Sequence, residues 1–141
     1  MKVAVFTGIR DLEVCERSMP ILERPGDVLL QIETVGVCGS DIHYYTEGRI
    51  GGQVIEHPAT LGHECAGTVV EVGSVVAGLE AGQRVAIDPA ISCGQCDQCQ
   101  QGRAHTCRNL QFLGCPGQAP GAAMEYITIA AESCYPIPDS M

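Results

Sequence analysis

Four closely spaced cysteines constrain the fold of this chain more than any other feature of its sequence. Cys93, Cys96, Cys99 and Cys107 follow the spacing C-x2-C-x2-C-x7-C. Glycine and glutamine are frequent between them, so the segment has little apolar material for a core of its own. Four thiolates at this spacing are typical of a structural zinc site, in which protein ligands fill all four positions. We therefore expect a zinc-bound lobe at about residues 92–110.

Two disulfide bonds are the alternative use of these cysteines. The chain contains nine cysteines, an odd number, and its first residues do not form a secretory signal sequence. Cysteine-rich proteins without such a signal are typical of a reducing compartment. We therefore expect free thiols, a cytoplasmic location and zinc rather than disulfides.

The overall composition excludes several classes of protein. A chain of 141 residues is long enough for one domain with a hydrophobic core. With 45 % hydrophobic and 18 % charged residues, it does not have the composition of a disordered protein. The net charge of −9 disfavours nucleic acids and anionic membrane surfaces as partners. No apolar run approaches the roughly 20 residues of a membrane span, so we expect neither nucleic acid nor membrane as a partner.

Short apolar segments separated by glycine and proline predict a mainly β fold, as a barrel or a sandwich. The predicted strands cover residues 2–6, 12–16, 28–37, 65–76, 85–88, 124–130 and 134–137. Gly67 and Gly73 are expected to form bends or bulges. A helix is predicted at residues 40–45, with Ser40 or Asp41 as its N-cap. Residues 114–121 are predicted to form a loop that joins the cysteine lobe to the rest of the fold.

A second group of potential metal ligands lies upstream of the lobe. Cys38 follows one predicted strand, and His63 and Glu64 precede the next. These three side chains can therefore meet at one edge of the sheet. Three protein ligands and an open fourth position are the mark of a catalytic zinc site. The alternative is that Cys38 is a small buried apolar residue and His63 a hydrogen-bonded core histidine.

The two groups of ligands lie in a characteristic order along the chain. Residues 62–76 read Gly-His-Glu-x2-Gly-x5-Gly-x2-Val, preceded by Cys-Gly-Ser-Asp at residues 38–41 and followed by the four cysteines. This order resembles the zinc-containing medium-chain alcohol dehydrogenases. Residues 38–51 are most similar to the polyol branch, the sorbitol and xylitol dehydrogenases. The resemblance covers the whole chain, residues 1–141, and implies a GroES-like catalytic domain, a partly open β-barrel with a zinc-bound lobe and short helices.

The resemblance implies roles for the residues of the second group and its neighbours. Cys38 and His63 correspond to ligands of a catalytic zinc ion, and Glu64 to a third or an exchangeable ligand. Asp41 corresponds to the carboxylate that accepts a hydrogen bond from the ligand histidine, which fixes its tautomer. An N-cap role for Asp41 is compatible with this function.

Three further residues acquire roles from the same resemblance. Ser40 corresponds to the hydroxyl that contacts the substrate alcohol, and His43 to the outer end of a proton relay. Tyr44 corresponds to a residue that lines the substrate cleft. The alternatives are that His43 is an exposed helix residue and that Tyr44 is a core aromatic. His105, inside the lobe, is expected to be a surface residue because four cysteines already fill a tetrahedron.

The activity implied by the resemblance is oxidation of a secondary alcohol of a polyol to a ketone, with NAD as hydride acceptor. It implies two zinc ions per chain, one catalytic and one structural, a small-molecule substrate, and assembly of the whole enzyme as a homodimer or homotetramer. A threonine or simple alcohol dehydrogenase of the same family and a non-enzymatic zinc-bound β-module are the alternatives.

A nucleotide-binding motif is missing from this sequence. No Gly-x-Gly-x-x-Gly occurs in it, and the glycines of residues 114–121 do not follow a strand or open a helix. The resemblance places the Rossmann cofactor domain after residue 141. We therefore expect this chain to be a portion of a dehydrogenase that binds zinc but does not turn over on its own.

Overall fold

A five-stranded antiparallel sheet forms the centre of the computed structural model, which describes residues 1–138 and 140. The strands, in chain order, are β1 (Lys2–Gly8), β2 (Asp11–Glu16), β3 (Asp27–Gly36), β4 (Arg49–Ile50), β5 (Gln53–Val54), β6 (Glu64–Val72), β7 (Arg84–Ile87), β8 (Ala90–Ile91), β9 (Gln111–Phe112), β10 (Tyr126–Ala130) and β11 (Cys134–Pro136). The helices are α1 (Gly39–Glu47) and α2 (Asp97–Gln100), with 3-10 turns at Ala104–Thr106 and Ala131–Ser133. The prediction of a mainly β fold is confirmed.

The central sheet has the strand order β10-β3-β6-β7-β11, and β1-β2, β4-β5 and β8-β9 form separate two-stranded ladders. Aliphatic residues on one face of the sheet form the main core, and four of them are at most 1 % exposed. They are Val28, Leu30, Val69 and Val85. Alternate residues of these strands point inward because successive side chains of a strand lie on opposite faces.

Gly67 forms a bulge in the middle of this sheet, as predicted. Gly67 pairs with Ile32 while its neighbour in β6 pairs with Thr34, so Glu33 is the extra residue of a bulge. A Cβ atom on Gly67 would lie 2.2 Å from the carbonyl oxygen of Gln31. Only glycine permits this close approach of two backbones.

The prediction that β6 continues to residue 76 is wrong. The strand ends at Val72, and at Gly73 the chain packs against the loop before β3, where a Cβ atom would lie 2.2 Å from the carbonyl oxygen of Pro25. The backbone N–H of Val75 then donates to that same carbonyl oxygen at 3.1 Å. These contacts take the backbone away from the sheet ladder.

A second core cluster lies under helix α1. It contains Phe6, Tyr44, Ile55 and Leu61, with Tyr45 and Ala59 packed against it. The β1-β2 hairpin is joined to this layer by the backbone N–H of Phe6, which donates to the carbonyl oxygen of Ala59 at 2.8 Å. The cluster fixes α1 beside the end of the central sheet.

The N-cap of α1 differs from the prediction. The cap is Cys38, whereas Ser40 and Asp41 are the second and third helical residues. The Asp41 carboxylate accepts the backbone N–H of Cys38 at 3.1 Å, since an acidic side chain three residues after the cap reaches back to it. The helix ends at Gly48, whose φ of 70° is left-handed.

No helix in residues 1–138 and 140 is long and apolar enough to cross a membrane.

Candidate metal centres

The four cysteines of the lobe converge on one point. Their sulfur atoms all lie within 4.8 Å of one another. Cys96 Sγ is 3.5 Å from Cys99 Sγ and 3.9 Å from Cys107 Sγ. A tetrahedron of sulfurs around zinc has edges of about 3.8 Å, because Zn–S bonds are about 2.3 Å long. All nine cysteines lie in the described part of the chain and are free, so the disulfide alternative is not adopted there.

Short local elements bring these sulfurs together. Helix α2 begins after Cys96 and carries Cys99 one turn later, which places both thiols on one side. A 3-10 turn leads into Cys107. The Arg108 guanidinium forms a two-pronged ion pair with Asp97 of α2, with N–O distances of 2.5 and 2.8 Å. Neither α2 nor the turn was predicted, because elements of three or four residues carry no periodic signal.

The electrostatics of the lobe fit a bound cation. Backbone N–H groups of Gln95 and Cys96 lower the pKa of the Cys93 thiol to about 6. Burial and the neighbouring Cys96 and Cys107 thiols raise the pKa of Cys99 to about 11. Hydrogen bonds thus favour the thiolate at Cys93, whereas burial disfavours it at Cys99. A divalent cation among the sulfurs would favour the ionised form of all four.

The predicted second group also comes together. Potential ligand atoms of Cys38, His63 and Glu64 lie within 4.8 Å of one another. The pairing of β3 with β6 explains this, since Glu64 is the register partner of Gly36 at the strand ends. One thiol, one imidazole and one carboxylate form a donor set suited to zinc, with room for a fourth ligand. These residues therefore fit the expected catalytic metal.

Two side chains hold the His63 ring, which is 14 % exposed. On one side, Oδ1 of Asp41 lies 3.6 Å from Nδ1, which leaves Nε2 for a metal. On the other, the ring of Phe112 meets the imidazole edge to face, with centroids 5.4 Å apart and an interplanar angle of 63°. Through its second oxygen the same Asp41 carboxylate holds the backbone of Cys38. Asp41 therefore links two candidate ligands.

Two features of this site were missed in the sequence. Gly36 leaves space for the Glu64 carboxylate, because a Cβ atom at position 36 would lie 2.6 Å from Glu64 Oε2. Phe112 is 49 positions away from His63 in the sequence, and no motif connects them. The position of Gly36, two residues before a candidate ligand at the end of a strand, was the available signal for its role.

The three remaining predicted site residues lie on α1. Ser40 is half-buried two residues after Cys38, and His43 follows one turn later with its side chain 60 % exposed. Nδ1 of His43 lies 3.5 Å from the Glu47 carboxylate. Tyr44 is 5 % exposed in the second core cluster, and its hydroxyl donates to Gln53 Oε1 at 2.9 Å. This is the core position that we considered as the alternative for Tyr44. In the lobe, His105 is exposed, as expected.

Comparisons with known proteins agree with this architecture. The chain is 43 % identical over 141 residues to sorbitol dehydrogenase from Bacillus subtilis, covering all of this chain and 39 % of the relative. It is 37 % identical over 137 residues to a probable D-xylulose reductase A from Neosartorya fischeri, covering 97 % of this chain and 38 % of that protein. The chain thus spans about two fifths of the length of these curated relatives.

A solved structure with the same fold is that of galactitol-1-phosphate dehydrogenase from Escherichia coli, with a TM-score of 0.88 and 30 % identity. The match covers all of this chain and 39 % of that one. It confirms the expected GroES-like fold. The family model of the alcohol dehydrogenase GroES-like domain matches residues 24–139. With both metal-ligand clusters in the expected order on this fold, the chain belongs to the family of alcohol dehydrogenase GroES-like domains.

Proposed function

We propose that this chain is the zinc-binding catalytic domain of a polyol dehydrogenase that oxidises a secondary alcohol to a ketone. The convergence of Cys38, His63 and Glu64 is the observation that carries the proposal. A structural module that needs one zinc ion for stability has the four-cysteine lobe and gains nothing from a second, three-ligand site. The relatives named sorbitol dehydrogenase and D-xylulose reductase support a polyol as substrate.

The proposed chemistry needs two groups that proteins of this class bind. Zinc held by Cys38, His63 and Glu64 supplies Lewis-acid polarisation of the substrate hydroxyl, which lowers its pKa. NAD supplies the hydride acceptor. The balance is complete: the alcohol carbon gives up a hydride, the hydroxyl gives up a proton, and a ketone, NADH and H⁺ result. A second zinc ion in the lobe has a structural role.

The chain's own residues orient the ligands and remove the proton. Asp41 faces Nδ1 of His63, which leaves Nε2 as the ring nitrogen that would bind the metal. The half-buried Ser40 hydroxyl would accept the proton of the substrate hydroxyl as it passes its own proton on toward His43. His43 lies three residues later on the same helical face and is exposed, so it can release that proton to water.

We propose that the nicotinamide cofactor binds to a separate Rossmann domain of the whole enzyme, since this sequence has no Gly-x-Gly-x-x-Gly. From the family resemblance we further propose a cytoplasmic enzyme that assembles as a homodimer or homotetramer.

Metal analysis tests the proposed site directly. After purification in zinc, we expect two ions per chain, and Cys38→Ala should retain one. The matched control is Cys15→Ala, because Cys15 is also half-buried but lies outside both clusters. One ion in the unaltered chain, or two in Cys38→Ala, would contradict the proposal.

A further inference from the structure

Phe112 provides a direct link between the two metal clusters. It lies in β9, the strand through which the chain leaves the cysteine lobe. Its ring contacts His63 edge to face, with the centroids 5.4 Å apart. One residue therefore connects the base of the lobe with a candidate ligand of the other site.

The sulfurs of the lobe hold the two chain segments that flank it. The backbone N–H of Cys93 donates to Cys107 Sγ at 3.3 Å, and that of Asn109 donates to the same sulfur at 3.4 Å. The Asn109 side chain also reaches Cys93 Sγ at 3.7 Å. Cys93 lies two residues after β8, and Asn109 two residues before β9. Ionised sulfurs accept such hydrogen bonds more strongly than thiols do, so metal binding would tighten this connection.

The ladder between β8 and β9 is too short to hold itself. It consists of two residue pairs, Ala90 with Phe112 and Ile91 with Gln111. Small isolated ladders are marginally stable at best. Beyond the ladder the chain is firmly anchored, since Leu113 is 5 % exposed and its N–H donates to the carbonyl oxygen of Pro89 at 2.9 Å. Phe112 lies between this anchored side, where its N–H donates to Gln118 Oε1 at 2.8 Å, and the lobe side of the ladder. Closure of the lobe is therefore the second restraint on the Phe112 ring.

We propose that Phe112 is a positioning residue that couples the two metal sites. With metal in the lobe, the ladder holds Phe112 against His63, and the imidazole is kept between Phe112 and Asp41. Metal in the lobe thereby raises the metal affinity of the site formed by Cys38, His63 and Glu64. Linkage requires the converse effect to have the same size. This inference rests on the two metal sites of the proposed function.

Cobalt titration of the 141-residue chain tests the coupling, because four sulfurs and a mixed donor set give Co²⁺ different absorption spectra. We call the site formed by Cys38, His63 and Glu64 the Cys38 site. We expect Phe112→Leu to weaken Co²⁺ binding there by about tenfold, because removing a residue that orients a metal ligand lowers metal affinity by at least that factor. Phe112→Tyr keeps the ring and should retain the affinity. Gln111→Ala, its exposed neighbour in the ladder, is the control and should also bind normally.

The second comparison varies the state of the lobe. In Cys99→Ser, which cannot complete the sulfur tetrahedron, the Cys38 site should bind Co²⁺ about as weakly as it does in Phe112→Leu. In the double variant Phe112→Leu/Cys99→Ser, the Co²⁺ affinity of the Cys38 site should be no lower than in either single variant. In the zinc-loaded protein, the NMR signals of the His63 ring protons should show the ring-current shift caused by Phe112. In Cys99→Ser they should lose that shift.

Equal affinities of the Cys38 site in the unaltered chain and in Phe112→Leu would overturn the coupling. So would equal affinities in the unaltered chain and in Cys99→Ser. If the unaltered chain binds a single ion, both the coupling and the proposed function are wrong, whereas two ions bound without coupling refute only this inference.

Discussion

At the scale of single residues, the Cys38 site depends on Gly36, which has no Cβ atom, as much as on its ligands. The Glu64 carboxylate occupies the space beside Gly36, where a Cβ atom would come within 2.6 Å of it. The nearest atom of Glu64, Oε2, is the end of a flexible side chain and can move, whereas Glu64 Cβ would lie 3.0 Å from the added Cβ atom. A methyl group at position 36 therefore displaces the carboxylate and also shifts the paired strands by a few tenths of an ångström.

Gly36→Ala should therefore weaken metal binding at the Cys38 site by about tenfold while the lobe keeps its metal. Isothermal titration with Zn²⁺ measures both affinities. Gly39→Ala is the matched control, because a Cβ atom at that position meets nothing within 4 Å. In a Glu64→Ala background, which lacks the carboxylate but keeps the Cβ atom, Gly36→Ala should have little further effect on zinc affinity. A further tenfold loss there would show that a shift of the strands, and not the displaced carboxylate, weakens the site.

Two cysteines outside the clusters have a purely structural environment. Burial raises the pKa of Cys65 to about 11 and that of Cys134 to about 12, above the ordinary 9.0. Ionisation of these thiols thus favours the unfolded chain, and their contribution to stability is intact below pH 9 and lost as the pH rises toward 11 and 12.

Alkylation by iodoacetamide should distinguish these thiols, since the thiolate is the reactive form. At pH 8, the zinc-loaded native protein should be modified at the half-buried Cys15 well before Cys65 and Cys134. Mass spectrometry of peptides locates the adducts, and denaturation in chelator should make all three react. Rapid native labelling of Cys65 would contradict the burial described for it.

At the scale of elements, the cysteine lobe consists of pieces too small to fold alone. Helix α2 has four residues, the following 3-10 turn three, and the ladder at the base two residues on each side. Metal binding must supply the energy that orders such a segment.

Cys99→Ser should therefore release the lobe zinc and unfold about residues 92–110 while the central sheet stays folded. Hydrogen exchange measures this directly: protection should be lost across the lobe and kept in β3 and β6. His105→Ala, an exposed change in the same segment, should leave the exchange unchanged. Retention of the lobe zinc by Cys99→Ser would contradict the assignment of its ligands.

The elements also show which parts of the site a sequence can predict. The grouping of Cys38 with His63 and that of the four lobe cysteines could be predicted because metal chemistry restricts both the residue type and the spacing. Contacts such as Phe112 with His63 could not be predicted, since they depend on the register of strands formed by distant segments. The cap of α1 was misassigned because Asp41 has an N-cap residue type, whereas its carboxylate acts from the third position of the helix.

At the scale of the whole molecule, alcohol activation and hydride acceptance are proposed to lie in different domains. Hydride transfer requires the nicotinamide ring about 3–3.5 Å from the substrate carbon. Within residues 1–138 and 140, no glycine-rich turn opens a helix for the pyrophosphate of a dinucleotide.

We expect no NAD reduction by this chain alone with sorbitol, xylitol or ethanol, measured as absorbance of NADH. In an enzyme that joins this chain to its cofactor domain, His63→Ala should abolish turnover and leave NAD affinity nearly unchanged, whereas His105→Ala should affect neither. Steady NADH production by the 141-residue chain would refute the division between domains. Loss of NAD binding in His63→Ala would do the same.

The pairing of β8 with β9 has a consequence for protein engineering. The chain leaves the barrel at Ile91 and returns to it at Gln111. These two residues are directly paired, so the lobe is attached to the barrel at two neighbouring backbone positions. A two-residue Asn-Gly hairpin turn can join such positions. If that turn replaced residues 92–110, the β8-β9 ladder would be closed by a short covalent connection and would no longer need a metal-bound lobe. If Phe112 needs only a closed ladder, the shortened protein should keep the Cys38 site, and a chelator that removes its zinc should leave the β8-β9 ladder closed.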